Sequence, residues 1–330
     1  MRSILLFFFA VMVIASSGQA QIPKPPPSRV DNVREVIHGV EIIDPYRWLE
    51  DQDGPETRAW IDAQNKYTHS LLDGLASRPA IQKRLSELLR VDSMGTPAEQ
   101  GRRYFLSKRR PADDLSILYV RQGLNGKDEV LIDPHTLSSD HTTDIGLDDI
   151  SSDGKLIVYS VRRGGQDETE LHVMDVDTRK DVEQLPNALY RGVSMKKDGS
   201  GFYYNLQRRD TGIRVLYHAI GTDMSKDVEV FGKGYGPDKW VSGSVSEDGK
   251  YLLFGAHHGW AKDELYVQKL PDGPIQPIVN DIDALFIVLA FKLVQPARKF
   301  GIGSEHLSQF YKCTHDLDVD YYGAFAVQYT

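Results

Sequence analysis

The sequence predicts a mainly β fold: a partial β-propeller of about four blades, preceded by a helical N-terminal segment. Three observations carry that expectation. An Asp-Gly turn recurs ahead of an aromatic-rich strand, a polar turn and a second strand follow it in the same order each time, and apolar residues spaced by three or four precede the first repeat.

Residues 1–20 form a block of their own. Arg2 supplies a positive start, Ile4 to Ala15 is almost wholly apolar, and Gly18-Gln19-Ala20 fits a small-x-small cleavage site, so a signal peptide with a mature start near Gln21 is expected. The apolar run is shorter than the about 20 residues of a membrane span. Export to a periplasm or the extracellular space is the expectation, with an uncleaved anchor as its rival.

Residues 21–95 read as an extended and helical segment. Pro23, Pro25, Pro26 and Pro27 favour an extended polyproline strand on a surface. Val36 to Ile43 around Gly39 reads as a strand or hairpin ending at Asp44-Pro45. Asp53 and Glu56 are spaced to cap a helix with Pro55 in its first turn, along which Trp60, Ala63, Tyr67, Leu71 and Leu75 form one apolar stripe. Gly74 would end it, and a second helix opens after Ser77 with Ile81, Leu85, Leu88 and Leu89 on one face. Both stripes need another surface to bury them.

From 96 to 286 the texture is that of short strands between Gly, Asp and Asn turns. Asp153-Gly154-Lys155 precedes Leu156 to Val161 and then Glu170 to Val176; Asp198-Gly199 precedes Gly201 to Gln207 and then Arg214 to Ile220; Asp248-Gly249-Lys250 precedes Tyr251 to Ala256 and then Glu264 to Leu270. A weaker copy runs from Gln100-Gly101 through Arg102 to Lys108 and Ser116 to Gln122. The glycines at 101, 154, 199 and 249 lie 53, 45 and 50 residues apart, close to the roughly 40 to 50 residues of a four-stranded blade. Alternate residues of each strand should face the neighbouring blade, while an open antiparallel sheet or sandwich is the rival. The stretch 287–330 lacks this rhythm.

A net charge of −8 with no long Lys or Arg run argues against nucleic acid or an anionic membrane as partner. Cys313 is the sole cysteine, so no internal disulfide forms, and its neighbour His315 makes no motif with it.

The chemistry-bearing residues point the same way. No Gly-x-Ser-x-Gly elbow occurs: Gly243-Ser244-Val245-Ser246 continues to Glu247, and Gly301-Ile302-Gly303-Ser304 to Glu305. These serines read as turn or strand residues, and no triad is assembled from the ten histidines. His257-His258 could suggest a metal pair, but adjacent side chains diverge and no third ligand has supporting spacing, so a solvated turn is expected. Gly232, Gly234 and Gly236 lack the following helix of a phosphate loop. Asp44, Glu50, Asp51 and Asp53 are read as caps or partners of Arg47, with Trp48 and Leu49 buried, rather than as an acid–base pair. Trp240 and Trp260 could bind a peptide, although packing in the core or between blades is the expectation for each alone. No catalytic, cofactor-binding or metal residue is assigned.

The strings PPPSRVDNVREVIHGVEIIDPYRWLED, AWIDAQN (Ala59 to Asn65), IGTDMSKD (Ile220 to Asp227) and PDKW (Pro237 to Trp240) resemble the prolyl oligopeptidase family of serine peptidases from about Pro23 to Phe286. Glu50-Asp51 stands where the oligopeptidase B branch tends to carry a basic residue, which favours the post-proline branch. The resemblance implies a seven-bladed propeller covering an α/β-hydrolase domain, with the N-terminal segment packed on that domain. It implies cleavage of short peptides after proline by a Ser-Asp-His triad without metal, the propeller restricting access. The triad and oxyanion hole would lie C-terminal to the propeller, so no residue here inherits a catalytic role.

The tail from Ile287 is read as a replaced or frameshifted C-terminus, with a divergent fifth blade as rival. The chain is therefore expected to be a truncated, inactive relative of the peptidase. A stand-alone propeller that binds peptides or proteins is the second reading, and a fragment that works only with a separate hydrolase half is the third.

Overall fold

The computed structural model describes residues 22–283 and the strands Val288–Lys292, Phe310–Lys312 and Gly323–Val327. The expected leader 1–20, Ser304, and Cys313 with His315 lie outside the described residues. The chain divides into two units, Met1–Leu89 and Arg90–Thr330.

In the first unit, β1 (Val33–Ile37) and β2 (Val40–Asp44) form a hairpin in which Ile37 pairs with Val40. Its two-residue turn, His38 and Gly39, has φ of 51° and 81°, the twist a two-residue hairpin requires. A 3-10 turn, Arg47–Glu50, then leads to α1 (Pro55–Leu72) and α2 (Arg78–Leu89). Pro55 opens α1 as expected, but Gly54 is the N-cap and no side chain caps it. Asp53 therefore does not form the expected box with Glu56, whose carboxylate is taken instead by Arg29 Nε at 2.7 Å. Leu75 falls past the helix end, in the turn through Gly74.

Arg47 organises the acidic cluster, reaching Glu35 and Asp44 at 2.8 Å each and Glu50 at 3.5 Å. The Arg47 and Tyr46 hydrogen bonds hold the Asp44 carboxyl below its usual range. Trp48 and Leu49 are only half-buried, contrary to expectation. The reason is local: Trp48 is covered by a guanidinium, Arg29 at 5.0 Å, and by the edge of Trp60 at 6.4 Å, rather than by a core. In α1 only Thr57 is buried, and in α2 nothing is.

The second unit is built from sheets of antiparallel neighbours. The first blade contains β3 (Ser93–Met94), β4 (Ala98–Gln100), β5 (Arg103–Arg109), β6 (Ile117–Gln122) and β7 (Asp128–Ile132), with β3 and β4 both pairing β5 as an interrupted inner strand. The next two blades share one long strand. They comprise β8 (Thr143–Ile150), β9 (Leu156–Arg163), β10 (Thr169–Asp175), β11 (Lys180–Met195), β12 (Gly201–Arg208), β13 (Gly212–Ala219) and β14 (Val228–Phe231). Up to Ala188, β11 pairs with β10; from Leu189 it pairs with β12, with a register shift between Tyr190 and Val193. It thus ends one blade as its outer strand and begins the next as its inner strand. The fourth blade is β15 (Trp240–Val245), β16 (Tyr251–His257), β17 (Asp263–Lys269) and β18 (Ile275–Val279). Within the stretch 287–330, β19 (Val288–Lys292), β20 (Phe310–Lys312) and β21 (Gly323–Val327) form a three-stranded sheet in the order β19-β21-β20.

The period of two along each strand places the cores in the seams between blades. Ile157, Tyr159 and Val161 of β9 pack with Phe105, Leu118 and Val120 of the first blade, while Val158, on the opposite face, packs with Phe202 and Tyr204 of β12. Tyr203, opposite to those two, joins Val241, Leu252 and Phe254 of the fourth blade. The partial propeller is therefore a stack of sheets sharing three hydrophobic seams, not an open sheet.

The second and fourth blades turn in the same way. Ser151 Oγ accepts from the Leu156 N–H at 2.8 Å and donates to Asp153, and Ser246 Oγ accepts from the Tyr251 N–H at 3.0 Å and donates to Asp248. Gly154, Gly199 and Gly249 sit at φ of 69°, 68° and 73°, the left-handed region open to glycine at little cost. In the third blade Lys196 replaces that serine, and Ser200 hydrogen-bonds Asp198 instead.

Polar links join adjacent blades alongside these seams. Asp149 accepts from the Met195 N–H at 2.7 Å, Ser194 Oγ from the Val245 N–H at 2.9 Å, and Asn205 Oδ1 from the Gly243 N–H at 3.0 Å. A Cβ at Gly243 would lie 2.6 Å from Val215, so this approach needs glycine.

Candidate functional site

The antiparallel meander sends alternate strand ends to two rims. One rim carries the Asp-Gly turns, whose aspartates and several serines are taken up by hydrogen bonds within the turn. The other carries the connections after β9, β12 and β16 and the loop entering β15, and it gathers Arg162, Arg163, Arg208, Arg209, Trp240 and Trp260.

Trp260 lies in the β16–β17 turn and is 93% exposed; Trp240, at the start of β15, is 49% exposed. The expectation that each would be buried in packing is overturned. The register explains why: Trp240 pairs with His257 at the very ends of their strands, beyond the seam, and Trp260 sits in a turn that no neighbour covers among the described residues. The Arg191 guanidinium lies 5.8 Å from the Trp240 ring while its Nε donates to Gln207 at 2.6 Å. The bulge in β11 beside Arg191 brings this cation from the third blade to an indole of the fourth.

Beneath this rim, Tyr235 donates to Glu264 at 2.6 Å and Tyr266 donates to the same carboxylate at 2.9 Å. Burial alone would raise Glu264, but the two phenols together with His258 and Lys262 hold it below the usual range. Burial and the Glu264 carboxylate both push the Tyr235 phenol up. His257 pairs with Asp263 and His258 with Glu264 at 3.2 Å, so the two histidines turn to separate carboxylates. Among the described residues no group of His, Cys, Asp and Glu is arranged to hold a metal.

On strand β8, Asp148 is exposed to solvent at its surface while the surrounding chain crowds it, and that desolvation raises it to about 6 against the pull of its Ser160 hydrogen bond, with Asp149 adding repulsion. Asp149 is raised by desolvation too, with the Met195 N–H opposing.

Two clusters escaped sequence reasoning. Tyr159 and His172 converge on Asp181, and Tyr204 and His218 converge on Asp227, one set in each of two successive blades. The nine-residue interval from His172 to Asp181 recurs from His218 to Asp227 and was the available signal. In the second set the far ring nitrogen faces Glu183 at 3.1 Å rather than a hydroxyl, so the arrangement ties blades together and activates no nucleophile. Ser246 is 3% exposed and committed to its turn, and Ser244 lies on β15. Gly232 and Gly234 are positive-φ positions in the loop before β15.

A sequence profile described as "Prolyl oligopeptidase, N-terminal beta-propeller domain" matches residues 25–292. The chain is 28% identical over 278 residues to the prolyl endopeptidase of Elizabethkingia miricola, covering 81% of this chain and 39% of that protein. With the prolyl endopeptidase of Elizabethkingia meningoseptica it shares 26% over 293 residues, 86% of this chain and 41% of the relative. A solved prolyl endopeptidase superposes with a TM-score of 0.70 at 32% identity, over 81% of this chain and 41% of that one. At 14% identity, oligopeptidase B of Leishmania major shares the fold with a TM-score of 0.64, over 82% of this chain and 42% of that one. The chain thus spans about 40% of the length of the relatives it matches.

Proposed function

Because this chain belongs to the prolyl oligopeptidase family, we propose that it supplies the access-restricting propeller portion and N-terminal segment of a peptidase acting on short proline-containing peptides. The observation that carries the reading is the rim that carries Trp260, 93% exposed, and Trp240 with the Arg191 cation over its ring. Indole faces and a guanidinium suit a peptide carrying proline rings and carbonyl oxygens. The raised Asp148 on β8 adds a titrating carboxylate on the second blade, which suits a passage that grades entry by charge.

The 330 residues by themselves carry no Gly-x-Ser-x-Gly elbow, and the polypeptide alone is proposed to be without peptidase activity. The N-terminal segment exposes Ile81, Leu85, Leu88 and Leu89 of α2, at 56%, 51%, 54% and 62%, as a hydrolase-docking face. Export after removal of residues 1–20 completes the reading.

The test uses the purified 330-residue protein and a proline-containing chromogenic peptide. The expected outcome is binding that weakens in Trp260→Ala and Trp240→Ala variants, with no turnover. Turnover abolished by a serine-directed inhibitor would overturn the inactivity, and binding unchanged in both variants would overturn the rim.

A second reading has its own support in the three seams that give the blades cores of their own. In that reading the blades bind peptides or proteins as a free-standing module. A monomeric, cooperatively unfolding protein favours it; aggregation through the α1 and α2 faces favours the first reading.

A further inference from the structure

The proline-rich start of the folded chain is held in a way the access-restricting role does not call for. Residues 23–29 take no helix or strand, and their hydrogen bonds run antiparallel to α1, Pro23 to Tyr67, Pro26 to Gln64 and Ser28 to Trp60. Tyr67 Oη donates to the Pro23 carbonyl at 2.5 Å, Gln64 Nε2 to the Pro26 carbonyl at 3.0 Å, Trp60 Nε1 to Ser28 Oγ at 2.9 Å, and Trp48 Nε1 to the Arg29 carbonyl at 3.0 Å. Trp60, Gln64 and Tyr67 stand at i, i+4 and i+7, on one face of α1. Trp48 and Trp60 meet edge to face at 88°, and Arg29 closes the end of the strap over Trp48 while pairing with Glu56.

This is the chemistry by which proline-rich chains are recognised. Proline fixes φ, so such a segment is extended before it binds, and its carbonyls have no internal N–H partners. Aromatic side chains with N–H or O–H donors then read the carbonyls while their faces take the rings. Only Pro26 and Ser28 among residues 22–29 are even half-buried. The strap therefore rests on a few surface hydrogen bonds, each weak on balance, and not on a core.

We propose that the face formed by Trp48, Trp60, Gln64 and Tyr67 is a binding site for proline-rich peptides ending in an arginine, and that residues 23–29 occupy it in cis as an exchangeable competitor. A peptide supplied in trans takes the place of the strap, with its prolines under Gln64 and Tyr67 and its arginine over Trp48 against Glu56. The site is built from residues of the first unit alone and does not depend on what the Trp240–Trp260 rim binds.

The probe is a fluorescein-labelled peptide with the sequence of residues 23–29, followed by anisotropy, with a control in which glycine replaces every proline. The full chain is compared with a loosened-strap variant carrying Pro23→Gly, Pro25→Gly, Pro26→Gly and Pro27→Gly. A tethered competitor acts at an effective concentration in the millimolar range, so the loosened variant should bind at least about tenfold more tightly than the parent. Adding Gln64→Ala and Tyr67→Phe to the loosened variant should return binding to the level of the glycine control. Equal binding by parent and loosened variant, or binding indifferent to Gln64 and Tyr67, would overturn the proposal.

A second measurement needs no strap variant. Excess unlabelled peptide added to the parent should accelerate tryptic cleavage after Arg29, because displacement frees its guanidinium, whereas the glycine control should not. An unchanged cleavage rate at saturating peptide would count equally against the site.

Discussion

The two units use the same kinds of apolar residue to opposite ends. In the blades, Phe202, Tyr204, Leu171 and Val173 are buried to 0% exposure in seams that each blade shares with the next. In the N-terminal unit, Val36, Val40, Leu85 and Leu89 stand at 70%, 63%, 51% and 62% exposure, and Thr57 is the one buried residue of both helices. A strand whose two faces meet different neighbours completes its burial within the repeat array. A helix with one stripe needs a surface of another kind, and the segment holds its shape instead through Arg47, the strap and the hairpin. The lesson is that hydrophobic patterning predicts which face wants burial but not whether the chain supplies the cover.

The sharpest way to break this contrast is to cut equivalent side chains from each unit. Phe202→Ala should lower the stability of the blades by about 3–5 kcal/mol in urea unfolding, since it opens a cavity in the seam. Leu85→Ala should change stability by less than about 0.5 kcal/mol, because an exposed side chain loses little on truncation. Comparable losses at both positions would mean that α2 is packed as firmly as β12.

Next in size is the turn. Ser246→Ala leaves the Tyr251 N–H without the hydroxyl it donates to and should cost about 1–2 kcal/mol, read in the same experiment. Ser152→Ala removes only an exposed donor to the Lys197 carbonyl and should cost less. Equal costs would show that the repeated turn contributes no more than any surface contact.

A smaller effect separates the blades from the N-terminal unit by pH. Asp148 is raised to about 6 in the folded chain, so the native state holds its proton where the unfolded state has lost it. Its contribution is full below the ordinary carboxylate pKa and is lost as pH rises toward 6. Asp148→Asn should match the parent near pH 3.5 and be more stable at pH 7.5 by on the order of 1 kcal/mol, a figure discounted for the solvent the group meets. The ladder of Asp-Gly turns and the hairpin at Gly39 should show no such dependence on this substitution.

Much of the fold was legible because repetition multiplies weak signals. Leu156, Gly201 and Tyr251 begin strands where the sequence places them, and the turn at Asp153 to Lys155 recurs at Asp248 to Lys250 with the same hydrogen bonds. The shared strand β11 was less legible. Pro186 within it argues for a break, but that residue falls in the register shift with β10, between the pairs Leu171–Leu185 and Thr169–Ala188, where it has no paired partner. The cap at Asp53 failed because Gly54 takes the cap position and Arg29, 27 residues earlier, claims Glu56.

At the candidate site the residue types were legible and their exposure was not. Trp240 and Trp260 are ordinary core residues by composition, and only the strand ends place them at the rim. The Tyr-His-Asp clusters depend on cross-strand register, as between Tyr159 and His172, which a linear reading does not display. The strap escaped for a related reason. A polyproline run announces an extended segment, while the donors that read it are spread from Trp48 to Tyr67.

The contrast between the units is tested most directly by amide hydrogen exchange on the intact chain, followed peptide by peptide. Strands β9, β12 and β16 should exchange only through global opening of the blades, while α1 and α2 exchange orders of magnitude faster through local opening, because little apolar area is buried in holding them. Protection of α2 equal to that of β12 would contradict the account, since a helix with no buried side chain would then be as firmly held as a strand in a filled seam.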